Sequence, residues 1–127
     1  MPTFSNPAGV AAPIGMYSHL CEVKAGTDIY YLAGQVGSKP DGTIGKTIED
    51  QADAAYANVV AILKSQNLGP QNVTKLLVYV TDRSYREAAN AARGKHLGEA
   101  RPASTFIVCA GLARPELMIE IDVTAAR

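Results

Sequence analysis

Two stretches, residues 73–81 and 104–110, are apolar on both faces of a strand, and this limits the fold more than any other feature of the sequence. In an extended chain successive side chains point to opposite faces. Val73, Leu77 and Tyr79 then fall on one side of the first stretch, and Leu76, Val78 and Val80 on the other. In the second stretch Phe106 and Val108 lie opposite Ile107 and Cys109. Such strands belong in a sheet with both faces covered.

The rest of the chain supplies cover for only one face. Residues 17–24 and 29–36 read as two strands joined by a turn at 25–28, which predicts a hairpin. Ile48, Ala52, Ala55, Tyr56, Val59, Ile62 and Leu63 draw one apolar stripe at helical spacing, with Thr47 and Asp50 as a cap and Leu68-Gly69-Pro70 as a stop. Ser84 with Glu87 predicts the cap of a second helix carrying Tyr85, Ala88, Ala89 and Ala92, its end weakened by Gly94. Residues 117–125 read as a last strand. With Thr43-Ile44 after the Pro40-Asp41-Gly42 turn as a short strand end, the order is β-β-(β)-α-β-α-β-β, and the helical crossovers join parallel strands. The expected fold is α+β, a single mixed sheet packed on two helices in one domain spanning 1–127. A second copy of the chain is the natural cover for the remaining apolar face.

Composition removes several functions. Twelve Lys and Arg balance twelve Asp and Glu, so the basic excess that displaces counterions from nucleic acid is missing. No apolar run approaches a membrane span, and the N-terminal residues lack a secretory pattern, so a cytoplasmic protein with no membrane partner is expected. The two cysteines read as reduced thiols. His19, Cys21, His96 and Cys109 have no metal-ligand spacing, so no metal and no cofactor are expected. Gly45-Lys46-Thr47 ends like a phosphate-binding loop, but Pro40 stands where that loop needs its first glycine.

Glu120 and Asp122 are the charges most suggestive of chemistry. Two apart on a strand, they share a face with Met118 and Thr124, while Ile119, Ile121 and Val123 take the other. A solvated strand face is one reading. A carboxylate aimed into a cleft between subunits, where it orients or deprotonates water, is the other. Arg101, just before the 104–110 strand, is the nearest candidate anion binder.

Several motifs in order add a resemblance. Gly15-Met16-Tyr17-Ser18, Ala33-Gly34-Gln35-Val36, Asn58 with Leu63, residues 73–82, Arg101-Pro102-Ala103-Ser104-Thr105 and Ile119-Glu120-Ile121-Asp122 resemble the Rid (YjgF-type) family from about Asn6 to Arg127. The resemblance implies a chorismate-mutase-like fold, a homotrimer around a central barrel, and a small-molecule ligand in a cleft between subunits. It implies hydrolysis of reactive enamines and imines without a cofactor. Glu120 matches the water-positioning glutamate, Tyr17 the pocket tyrosine and Gly34 the pocket glycine, and Cys109 lies near a cysteine found in many members. The family's carboxylate-binding arginine is not matched: Ser104 stands there by motif, and Thr105 by counting back from Glu120. The expectation is therefore a Rid-like hydrolase of altered specificity, with Ser104 or Thr105 donating to substrate and Arg101 or Arg114 as replacement cations. A non-catalytic binding trimer is the alternative, and an endoribonuclease a third reading that the neutral charge disfavours.

Overall fold

The computed structural model describes all 127 residues. Its elements are β1 (Thr3–Ser5), β2 (Leu20–Glu22), β3 (Ile29–Tyr31), β4 (Gln35–Val36), α1 (Ile48–Ser65), β5 (Val73–Val80), α2 (Arg86–Leu97), β6 (Ala103–Val108) and β7 (Ile119–Ala126). A five-stranded sheet runs in the order β3-β7-β5-β6, with β4 also pairing β7. β5 and β6 are parallel, joined through α2, while β7 is antiparallel to β5, β3 and β4. The expected mixed sheet on two helices is therefore present.

The expected hairpin is not. β2 pairs with β1, and β3 pairs with β7. A two-stranded ribbon is marginal by itself. Moving β3 onto the eight-residue edge of β7 packs Tyr30 and Leu32 against the core. The second helix also starts differently. Ser84 does not cap α2; the Asp82 carboxylate accepts from both its N–H and its hydroxyl (2.8 and 2.7 Å), closing a 3-10 turn over Arg83–Tyr85. A short carboxylate two residues before the donor forms this local turn readily. By contrast Thr47 caps α1 as expected, its hydroxyl accepting from the Asp50 N–H at 3.1 Å.

One strand face needs correction. Val73 pairs with Ala125 but Lys75 with Thr124, so Thr74 is an extra residue in β5. This bulge turns Val73 into the helix-covered core, away from Leu77 and Tyr79. The core lies between the helices and one face of the sheet, where Ala52, Tyr56, Val59 and Leu63 of α1 meet Leu76, Val78, Ile119, Ile121 and Val123. No element of the chain covers the opposite face, where Leu77, Tyr79, Ile107 and Met118 stay half-buried beside Glu120 and Asp122. No helix is long and apolar enough to cross a membrane.

α1 is fixed to the sheet by two amides, one buried and one half-buried. Gln51 is 1% exposed; its Nε2 donates to the Gly45 and Glu116 carbonyls, each at 2.8 Å, and its Oε1 accepts from the Met118 N–H at 2.8 Å. Asn58 Nδ2 donates to the Ser38 and Val36 carbonyls at 2.8 and 3.3 Å. The two amides hold the β4–α1 connection and the start of β7, the segments next to Glu120.

Candidate functional site

Pairing places Glu120 opposite Val36 of β4 on one side and Tyr79 of β5 on the other. Alternation sends Ile119 and Ile121 into the core and leaves Glu120 half-buried on the uncovered face. Gly34 sits against it. A methyl group at residue 34 would lie 2.8 Å from Glu120 Cδ and collide with Oε2, so the absent side chain leaves room for the carboxylate. Thr105, opposite Leu77, and Ile107, opposite Tyr79, share this face. Cys109 also follows their alternation, and its N–H and thiol both donate to the Val80 carbonyl at 2.8 and 3.5 Å.

A second group assembles on the helix side of the sheet. Ser104 and Phe106 of β6 face α2 across a cavity of about 250 Å³, also lined by Val78, Arg86, Asn90 and Arg93. Residues 14–17 close it, with Tyr17 among them. This segment is anchored where the Ser18 N–H donates to the Pro102 carbonyl at 3.1 Å, beside the start of β6. Arg93 Nη1 donates to the Ser104 hydroxyl at 3.2 Å. Arg86 lies over the Phe106 ring, 5.5 Å from its centroid.

The expected site residues thus divide between two places. Tyr17 and Ser104 meet in the cavity; Gly34 and Glu120 meet on the opposite face. Ser104 and Glu120 lie on strands separated by β5, about 10 Å apart in the pairing direction, and point to opposite faces. Thr105 shares the face of Glu120 but lies across β5 and two positions along from it. Within one chain neither hydroxyl joins Glu120 on a small molecule.

The candidate replacement arginines are engaged elsewhere. Arg101 donates to the Gly98 and Ala100 carbonyls (3.1 and 2.9 Å) and lines a separate, more open cavity with Phe4 and Leu97. Arg114 pairs with Glu116 at 2.6 Å. The cation beside Ser104 is Arg93, which sequence reasoning missed. Its signal was spacing: Arg86, Asn90 and Arg93 stand at i, i+4 and i+7 on one helix face, beside the apolar face of Tyr85, Ala88, Ala89 and Ala92.

Other polar groups brace the helices. The Asp53 carboxylate of α1 takes Lys95 and His96 of α2 at 2.7 and 2.8 Å, and these hydrogen bonds hold its pKa below the usual carboxylate value. His96 also stacks on Tyr56. No group of three His, Cys, Asp or Glu side chains is arranged to hold a metal ion.

Comparison with known proteins extends the match over nearly the whole chain. The family model for endoribonuclease L-PSP matches residues 9–127. A RutC family protein of Pyrococcus horikoshii is 32% identical over 115 residues, covering 89% of this chain and 88% of its own. A RutC family protein of Synechocystis is 30% identical over 122 residues, covering 93% and 91%. Among solved structures, the conserved Rid-family protein YyfB of Yersinia pestis superposes with a TM-score of 0.88 at 30% identity, covering 99% of this chain and 98% of that one. RidA of an Antarctic Psychrobacter superposes with a TM-score of 0.72 at 26% identity, covering 90% of each chain. With sequence and topology in agreement from the 14–17 segment to the last strand, this chain belongs to the Rid family, the family of the endoribonuclease L-PSP model.

Proposed function

We propose that this chain is a hydrolase of small imines or enamines that works as a homotrimer, with Glu120 of one copy facing the Tyr17–Ser104 cavity of the next. The observation that carries the reading is the division of the site. A carboxylate with room made for it by Gly34, and a polar cavity lined by Tyr17, lie on opposite faces of one sheet. A neighbouring copy packed against the uncovered face unites them, and buries Leu77, Tyr79, Ile107 and Met118 at the same time. Family membership supports the same arrangement.

The chemistry asks little of the protein. Glu120 accepts a proton from water as the oxygen adds to the carbon of a protonated imine. The carbinolamine then expels ammonia, leaving a carbonyl compound, so imine and water become carbonyl and ammonia with no redox change. The formal net charge of zero gives no support to a ribonuclease reading.

The test is ammonia release from imines generated in place by an amino-acid oxidase. The wild type should speed release above the spontaneous rate, and Glu120→Gln should lose about 10²-fold or more of that acceleration. Equal rates for the two would remove Glu120 from the mechanism. Saturable stabilisation by ligand with no acceleration would make the protein a binding trimer instead. Sedimentation should give three copies, and a monomer at micromolar concentration would overturn the shared site.

A further inference from the structure

The sheet face that no element covers carries charge as well as apolar surface, and the charges are sorted by strand. Lys75 of β5 is the only lysine or arginine in the five strands of the sheet, and Glu120 and Asp122 of β7 are the only acids. Register places Lys75 opposite Ala103 of β6 and Thr124 of β7, and Leu77 opposite Thr105 and Asp122. Lys75 and Asp122 are thus diagonal neighbours on one face, a position from which long side chains can meet. They do not meet. The Lys75 ammonium turns the other way, toward β6, and donates to the Thr105 hydroxyl at 3.5 Å. None of the ion pairs in the chain includes Lys75, Glu120 or Asp122.

Covering this face changes what the charges require. A second copy takes water away from Asp122, which is already half-buried, and a carboxylate removed from water without a partner is strongly disfavoured. Cation and acids lie on different strands, so the face complements itself only when the β5–β6 side of one copy meets β7 of the next. That is a head-to-tail contact, the kind that closes into a ring. The site proposed above needs the same contact, with Glu120 of one copy facing the cavity that holds Ser104 of the next. Thr105 follows Ser104 directly and turns to the uncovered face, and Lys75 is bonded to it. Asp122 lies two residues, about 7 Å, from Glu120 along β7. One docking therefore brings Glu120 to the cavity and Asp122 to Lys75.

We propose that Lys75 of one copy pairs with Asp122 of the next, and that this pair sets the register in which copies of the chain assemble. The partner surface for Lys75 is the acidic column on β7 of an identical chain. Thr105 holds the lysine on the β6 side, toward an acid arriving from outside rather than toward its own Asp122. A slip of two residues along β7 would put Glu120 against Lys75 and take it out of the cavity. A buried ion pair adds little net stability, and fixing register is its best-attested use. The inference rests on the shared site proposed above and adds what keeps its two halves in line.

Sedimentation over a dilution series tests the pair. Lys75→Glu and Asp122→Lys should each raise the concentration at which the assembly half-dissociates by at least about tenfold, because each sets like charges face to face. The double variant should return to within about threefold of wild type. An equimolar mixture of the two single variants separates a pair between copies from one inside a chain. A mixed ring of three has two complementary contacts and one repulsive contact, so mixing should recover assembly that neither variant shows alone. Single variants that assemble like wild type, a double variant no better than the singles, or no gain on mixing overturns the proposal. Should a charge reversal not fold, Lys75→Met and Asp122→Asn replace it. Each should weaken assembly, and both together no more than the worse of the two, whereas additive losses overturn the pair. Imine hydrolysis by a wild-type trimer indifferent to these charges would sink this proposal and leave the enzyme reading standing. Charge-dependent assembly without hydrolysis would do the reverse, and a wild-type monomer would remove both.

Discussion

Gln51→Leu should destabilise the chain by about 2–4 kcal/mol, although leucine is nearly the size of glutamine and fully apolar. Area burial alone predicts the opposite sign, since an apolar side chain suits a 1% exposed site. Hydrogen bonding decides the outcome. The change leaves the Met118 N–H and the Gly45 and Glu116 carbonyls without their partner. Each buried polar group left unpaired costs about 1–3 kcal/mol. Glu116 is exposed and its carbonyl can find water, so the estimate is the lower part of the range for the other two groups. In a domain of this size that corresponds to a fall in Tm of about 10 °C. Gln51→Glu sharpens the reading. Its carboxylate still accepts from Met118 but turns an acceptor toward two carbonyls, a setting that raises an acid's pKa. Its deficit should therefore grow as pH rises from 4 to 7, because the charged form is the one the fold rejects, while the deficit of Gln51→Leu stays flat. Urea unfolding at the two pH values reads both. A Gln51→Leu protein within 0.5 kcal/mol or so of wild type would show that the three bonds contribute nothing net.

These bonds also show why the sequence revealed the layers more readily than the site. The stripe from Ala52 to Leu63 and the alternation from Ile119 to Val123 are periodic, so helix, strand and buried face follow from spacing alone. Gln51 interrupts its stripe with a polar residue, and nothing local announces that its partners lie as far away as residues 116 and 118. The hairpin error has the same origin: a turn at 25–28 specifies a reversal but not which edge the next strand joins, and β7 lies almost a hundred residues on. Val73 was misplaced because a bulge shifts alternation by one without a local signature. Arg93 was missed because charge on a helix normally marks the solvated face. Here the 14–17 segment returns over that face, a contact no pattern within α2 encodes. What spacing does determine is which side chains share a face, and by that rule adjacent Ser104 and Thr105 fall on opposite sides of β6.

Gly34→Ala tests whether that separation matters for chemistry, and it should lower kcat on imine substrates by about 10²-fold with little change in Tm. Residue 34 has no positive φ to forbid a side chain, so alanine fits the backbone without strain. The new methyl does meet the end of Glu120, which is flexible and half-exposed. The carboxylate moves rather than the strand, and stability is preserved while the oxygen that holds water is displaced. A displacement of about 1 Å is enough to cost two powers of ten when the lost quantity is orientation. KM should change little, because the three atoms nearest the new methyl all belong to Glu120 and not to the residues lining the Tyr17–Ser104 cavity. The double variant Gly34→Ala/Glu120→Gln should be no slower than Glu120→Gln alone, since a misplaced base and a missing base remove the same interaction. Additive losses would mean that Gly34 acts on the reaction by a route other than Glu120. A large loss of Tm would mean that the glycine serves the packing of β4 on β7 and that the carboxylate merely fills space beside it.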